Sequence, residues 1–175
     1  MNISPRKLFV IVGYPHTGKK VTLQTLFRRK GFFPFKRPIK AAQFGNKGFI
    51  VINISDHNHR TEDYLARIKA VMASHTETPA SFMVIISLVL DGSIRDVKPV
   101  LQYFNQSGFD VHYLVLCSSM YEKKVISEAN IELFRQHVSK GQIHLFDKLV
   151  TQSTLRFRER VEEVTKVIDV LLATR

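Results

Sequence analysis

The sequence predicts an α/β fold, a three-layer sandwich in which a mostly parallel sheet of about five or six strands carries helices on both faces. Two observations lead there. Short apolar runs alternate with amphipathic stretches along the whole chain, and strands joined by helical crossovers run parallel. The runs are also continuous, "MVIISLVL" at 83–90 above all, as strands covered on both faces are.

Lys7 to Val12 reads as the first strand. After a loop, a helix is expected over about Lys20 to Lys30, with Leu23, Leu26 and Phe27 on one face. Pro34 and Pro38 break regular structure in "GFFPFKRP". Residues 39–55 read as two extended pieces around "GNKG", because Gly and Asn tolerate the positive φ of a hairpin turn. Helical spacing returns over about Thr61 to Ala73 through Tyr64, Leu65, Ile68 and Met72. Then come a strand at 82–90, a helix over about Ile94 to Gln106 closed by Gly108, and a strand from Val111 to Cys117. A helix over roughly Tyr121 to Ser139, a short strand "QIHLF" and a last helix from Thr154 to Ala173 complete the order. Neither a repeat nor a linker divides the sequence, so residues 1–175 are expected to form one domain.

Composition narrows the class. With 45% apolar and 23% charged residues, the 175-residue chain has the balance of a folded domain rather than a disordered one. Its longest apolar run, "FMVIISLVL", falls well short of the ~20 residues a membrane-spanning helix needs. Nor does "LFVIV" after Arg6 and Lys7 lead to a small-residue cleavage site, so no export signal and no membrane partner are expected. Cys117 is the only cysteine and sits in the apolar "YLVLC", which predicts a core thiol and a reducing, cytoplasmic setting.

Net charge is +11, and it is unevenly placed. Eleven Lys or Arg residues and no acid precede Asp56; from there on, fifteen basic residues balance fifteen acidic ones. The excess belongs to the segment that holds "VGYPHTGKK", residues 12–20, so the expected partner is an anion.

A phosphate needs donors that approach without steric interference. Two glycines let backbone N–H groups wrap it, a following helix points its positive end at it, and a lysine bridges its outer oxygens. "VGYPHTGKK" lies between a strand and a helix, and in Gly13, Gly18 and Lys19 it resembles the Walker A loop of P-loop nucleotide-binding proteins. The resemblance implies ATP or GTP as ligand with Mg²⁺ beside it, Thr17 in a loop position where hydroxyls are common, and Lys19 as the catalytic lysine. His16, inside the loop, is placed to offer an imidazolium to a phosphate. Lys20 stands where the family has the hydroxyl that ligates magnesium. Three outcomes are open: Lys20 turns outward beside a weakened metal site; it substitutes for the metal charge; or the loop is one residue longer, making Lys20 the phosphate lysine and Thr22 a second hydroxyl.

"YPHTGKK" is also similar to the "YPKSGTT" phosphosulfate loop of sulfotransferases. His16 replaces the catalytic lysine of that family, Lys19 and Lys20 replace its hydroxyls, and no later segment matches its 3′-phosphate site.

Two acids are candidates for the metal side. Asp56 ends "FIVINISD" after the hairpin, a layout that looks like small GTPases; Asp91 ends "MVIISLVLD", whose "DG" and Arg95 look like the "DGFPR" of nucleoside monophosphate kinases. Neither match extends further. "DxxG" and "NKxD" are missing for the first and an arginine-rich lid for the second. His57 and His59 lack the cysteines or acids that would complete a zinc site and read as a polar loop. "RRKGFFPFKRPIK" mixes Arg28, Arg29, Lys30, Lys36, Arg37 and Lys40 with Phe32, Phe33 and Phe35, the composition of a single-stranded nucleic-acid surface, although a Phe cluster next to prolines is more often a packed loop. An interaction module on a catalytically degenerate P-loop fold, docking nucleic acid or an acidic partner, is the second expectation. Arg156, Arg158 and Arg160 spread around the last helix and read as a solvated face.

Overall fold

The computed structural model describes residues 5–53 and 60–174, so the expectations for Asp56, His57 and His59 fall outside the described residues. The chain runs β1 (Lys7–Gly13), α1 (Lys19–Leu26), β2 (Ile39–Ala41), β3 (Lys47–Ile52), α2 (Thr61–Ala73), β4 (Ser81–Ser87), α3 (Lys98–Gln106), β5 (Asp110–Leu116), α4 (Glu128–His137), β6 (Gln142–Phe146) and α5 (Thr154–Ala173). One sheet orders the strands β2-β3-β4-β1-β5-β6, parallel except for the antiparallel β2–β3 pair.

Alternation along each strand divides the core into two layers. Leu8, Val10 and Val12 of β1 face Ile68 of α2, Leu101 and Phe104 of α3 and Phe134 of α4. Phe9 and Ile11 face Leu23 and Leu26 of α1 and Val161, Val164 and Ile168 of α5. Helices therefore cover both faces, as the continuous apolar runs require. No helix among the described residues is long and apolar enough to cross a membrane, and Cys117 is a buried free thiol.

The hairpin forms with Ile39 opposite Phe49, and its turn places Gly45 at φ 61° and Asn46 at φ 58°. Three helices are shorter than their periodicity predicts, each for a local reason. α1 stops at Leu26, with Phe27 closing it and Arg28 already left-handed at φ 48°. The start of α3 is delayed to Lys98, because the Asp96 carboxylate holds a turn by accepting from Gly92 N (2.6 Å) and Lys98 N (2.8 Å). α4 begins only at Glu128, where Ser127 accepts from Asn130 N; before it, Ser119 Oγ captures the N–H groups of Tyr121 and Glu122 in a separate turn. The expectation of a solvated arginine face on α5 is wrong at one position. Arg156 and Arg158 are exposed, but Arg160 is completely buried.

This order matters for the site. β1 is followed by a helix on one face, whereas its neighbours β4 and β5 are followed by α3 and α4 on the other. Chains leaving adjacent strand ends in opposite directions open a crevice there, at the carboxyl edge of the sheet. The loop after β1 borders that crevice.

Candidate phosphate-binding site

β1 carries the chain through the middle of the sheet and ends at Gly13, where a side chain has no room: a Cβ would stand 2.9 Å from Thr17 Oγ1. The next residues fold back tightly. His16 (φ 60°) and Gly18 (φ 93°) are both left-handed and flank Thr17, a backbone of the kind that gathers successive N–H groups. At Gly18 the positive φ and a Cβ approach of 3.1 Å to Met120 Cβ both call for glycine.

The loop's polar groups are sorted. Its first carbonyls take side chains of the loop itself: Lys19 Nζ donates to Tyr14 O (2.7 Å) and Gly13 O (3.3 Å), and Thr17 Oγ1 also donates to Tyr14 O. The N–H groups of Thr17, Gly18, Lys19 and Lys20, in contrast, meet no acceptor among the described residues. Gly18 caps α1 without a side chain, and the first turn has no acid but two lysines. Cations at the positive end of a helix are unfavourable by about 0.3–1 kcal/mol each, and unpaired N–H groups add to that. An anion at this end would relieve both.

Lys19 is 7% exposed, and burial lowers its pKa to about 7. No carboxylate among the described residues contributes to that shift, and none of them forms an ion pair with Lys19. Of the other predicted phosphate contacts, His16 lies exposed on the loop and Thr17 is buried beneath it. Lys20 is exposed. Thr22 is fully buried and its hydroxyl donates to Gly18 O (2.8 Å), so it serves the helix and has no lone route to a ligand.

Beside the loop lie two adjoining clefts of about 530 and 340 Å³. Pro15 and Asp91 line both; His16, Ser87 and Arg95 line the larger, and Tyr14, Lys124 and Asn130 the smaller. Asp91 follows β4, which is hydrogen-bonded directly to β1, whereas β3, the strand that precedes Asp56, is one strand further away. Hydrogen bonds from the Ser93 hydroxyl and N–H hold the exposed Asp91 carboxyl below the usual carboxylate range. Among the described residues no group of three His, Cys, Asp or Glu side chains could hold a metal, and Lys20 supplies no oxygen. Magnesium bound with a nucleotide needs only one or two carboxylates besides water and phosphate oxygens, and Asp91 is the acid that the described residues place at the cleft.

Several contacts to the loop come from residues the sequence reading passed over. Met120 N donates to Thr17 O (3.2 Å) and Ser119 Oγ to His16 O (3.4 Å), so the turn after β5 holds the loop from one side. Asn130 Nδ2 donates to Tyr14 Oη, and Lys124 Nζ lies 5.1 Å from the Tyr14 ring centroid. Beneath that turn, Arg160 Nη1 donates to Ser118 O (2.6 Å), while its Nε and Nη2 have no partner among the described residues. Burial lowers its pKa to about 10. "CSSM" at a strand end was the available signal, but only the sheet order reveals that this strand adjoins β1. Compared with models of protein families and with curated proteins, the chain matches none, and its functional reading rests on the geometry of this loop.

Proposed function

We propose that this chain is a P-loop-like protein that binds the phosphate groups of a nucleoside triphosphate, ATP or GTP, or of a related phosphate ligand, through the loop from Gly13 to Lys20. One observation carries the reading. Lys19, buried with no counterion among the described residues, lies against the loop carbonyls at a helix start whose N–H groups meet no acceptor among those residues. Two of the three N–H bonds of its ammonium are engaged, and the third meets no acceptor among the described residues, which leaves it for a phosphate oxygen. His16 and Lys20 would add charge at the rim. If the ligand is turned over, the reaction is hydrolysis or transfer of a terminal phosphoryl group, with Lys19 stabilising the charge that develops on its oxygens.

Binding without efficient turnover is the second reading, favoured by Lys20 in place of a hydroxyl. The lone buried thiol of Cys117 fits work in a reducing compartment such as the cytoplasm.

Titration of wild type and Lys19→Ala with ATP and GTP, with and without magnesium, tests both readings. Binding lost in Lys19→Ala supports the phosphate site, and a small effect of magnesium supports the second reading over the first. Equal binding by both proteins, or none by wild type, contradicts the site.

A further inference from the structure

Most cations of the basic N-terminal third are not at the loop. α1 runs from the loop to the opposite edge of the sheet, where the strands β1, β3 and β4 begin, and delivers Arg28, Arg29 and Lys30 there. Lys36, Arg37 and Lys40 follow at the same edge, and all six are exposed. The ion pairs among the described residues join Lys7 and His112 to Asp110, Lys98 to Asp96 and Lys148 to Glu159 and Glu163; none reaches these six.

Three phenylalanines divide the work in this segment. Phe33 is fully buried, packed edge-on against Phe27 at 5.8 Å, and pins the loop to the core. His75 Nε2 contacts Phe35 O, and Arg29 Nε donates to Phe32 O (3.0 Å), so the backbone on either side is fixed. Phe32 projects from this frame with 71% of its surface exposed, and its ring meets that of Phe35 at 6.1 Å and 70°. Apart from that edge contact, the Phe32 ring is left largely open to solvent among the cations.

We propose that this edge is a second binding site, for single-stranded nucleic acid, with Phe32 stacking on an unpaired base and the surrounding lysines and arginines contacting the phosphodiester backbone. The chemistry separates this partner from its competitors. A base within a duplex is already stacked on both faces, and a single ring on a loop offers no element for a groove. Insertion into an anionic membrane calls for an apolar face of several side chains, whereas this segment projects one. The proposal stands independently of the phosphate reading, because the two sites lie at opposite ends of α1.

The test is fluorescence anisotropy with a labelled oligothymidylate over a range of salt, on wild type, Phe32→Ala, the double variant Lys36→Glu with Arg37→Glu, and Lys19→Ala. Phe32→Ala should weaken binding roughly tenfold while leaving the unfolding curve in place. The double variant should flatten the plot of log affinity against log salt by about 1.4, roughly 0.7 for each lost phosphate contact. Lys19→Ala should bind the oligonucleotide as wild type does. The proposal is overturned by unchanged affinity in the first two variants, by equally tight binding of a duplex, by loss of binding in Lys19→Ala alone, or by binding to phosphatidylserine vesicles without binding to the oligonucleotide.

Discussion

The two edges of the sheet hold their positive charge in opposite ways. At the carboxyl edge Lys19 is enclosed, hydrogen-bonded to two carbonyls and forced toward the neutral form; at the amino edge the lysines and arginines from Arg28 to Lys40 stand in water with no ion pair among the described residues. An enclosed cation is costly to keep, since desolvation penalises its charge, and the helix start it belongs to adds a second unfavourable term. Exposed cations cost little and are screened by salt. Formal charge alone would treat the first fifty-five residues as one basic patch. Burial separates them into a site suited to a compact anion and a surface suited to an extended one.

The largest test of this contrast concerns stability at the amino edge. Phe33→Ala removes a completely buried ring and should cost about 3–5 kcal/mol, whereas Phe32→Ala should stay within about 0.5 kcal/mol of wild type. Denaturant unfolding compares the neighbours directly; equal losses would mean that Phe32 also packs, and the division of labour would fail.

A smaller effect, of a few kcal/mol, is expected from Lys19. Its folded pKa of about 7 lies below the ordinary 10.5, so between those values the unfolded chain holds more protons and stability rises with pH. Below about pH 7 the whole penalty is present. Lys19→Met should be more stable than wild type at neutral pH and should lose this part of the pH slope; an unchanged slope would show that the ammonium is not desolvated.

Gly18→Ala should cost about 1–2 kcal/mol through its left-handed backbone and the approach to Met120, and should weaken pyrophosphate binding by about tenfold. Isothermal titration reads the second effect and thermal unfolding the first. Smallest is the response to Lys20→Thr, which restores a hydroxyl at an exposed position: magnesium should then tighten ATP binding by a few-fold more than it does in wild type. No gain would assign the weak metal site to the acids instead.

Much of this architecture was legible in local pattern. The boundaries of β6 and α5 follow from their flanking turns, and "GNKG" announced a hairpin because only its Gly and Asn accept the φ values found there. The loop was legible too, since strand, glycines, lysine and helix are consecutive in sequence. What local pattern does not contain is the order of strands. The adjacency of β4 to β1, which sets Asp91 at the cleft and leaves β3 a strand away, is a long-range fact, as is the support the loop receives from Ser119 and Met120. Arg160 is illegible for a related reason. Arginines on alternate positions look alike on a helical wheel until a neighbouring turn covers one of them. The late start of α4 arises from competition that periodicity cannot see, with the Ser119 hydroxyl taking backbone N–H groups a helix would have used.

The claim at the centre is that N–H groups between β1 and α1 await an anion. Amide ¹⁵N–¹H spectra recorded during a titration with inorganic pyrophosphate test it most directly. Saturable shifts concentrated at Thr17, Gly18, Lys19 and Lys20, absent for the distant amides of residues 28–40, are the predicted result. Shifts confined to residues 28–40, or none at the loop up to millimolar ligand, would contradict it.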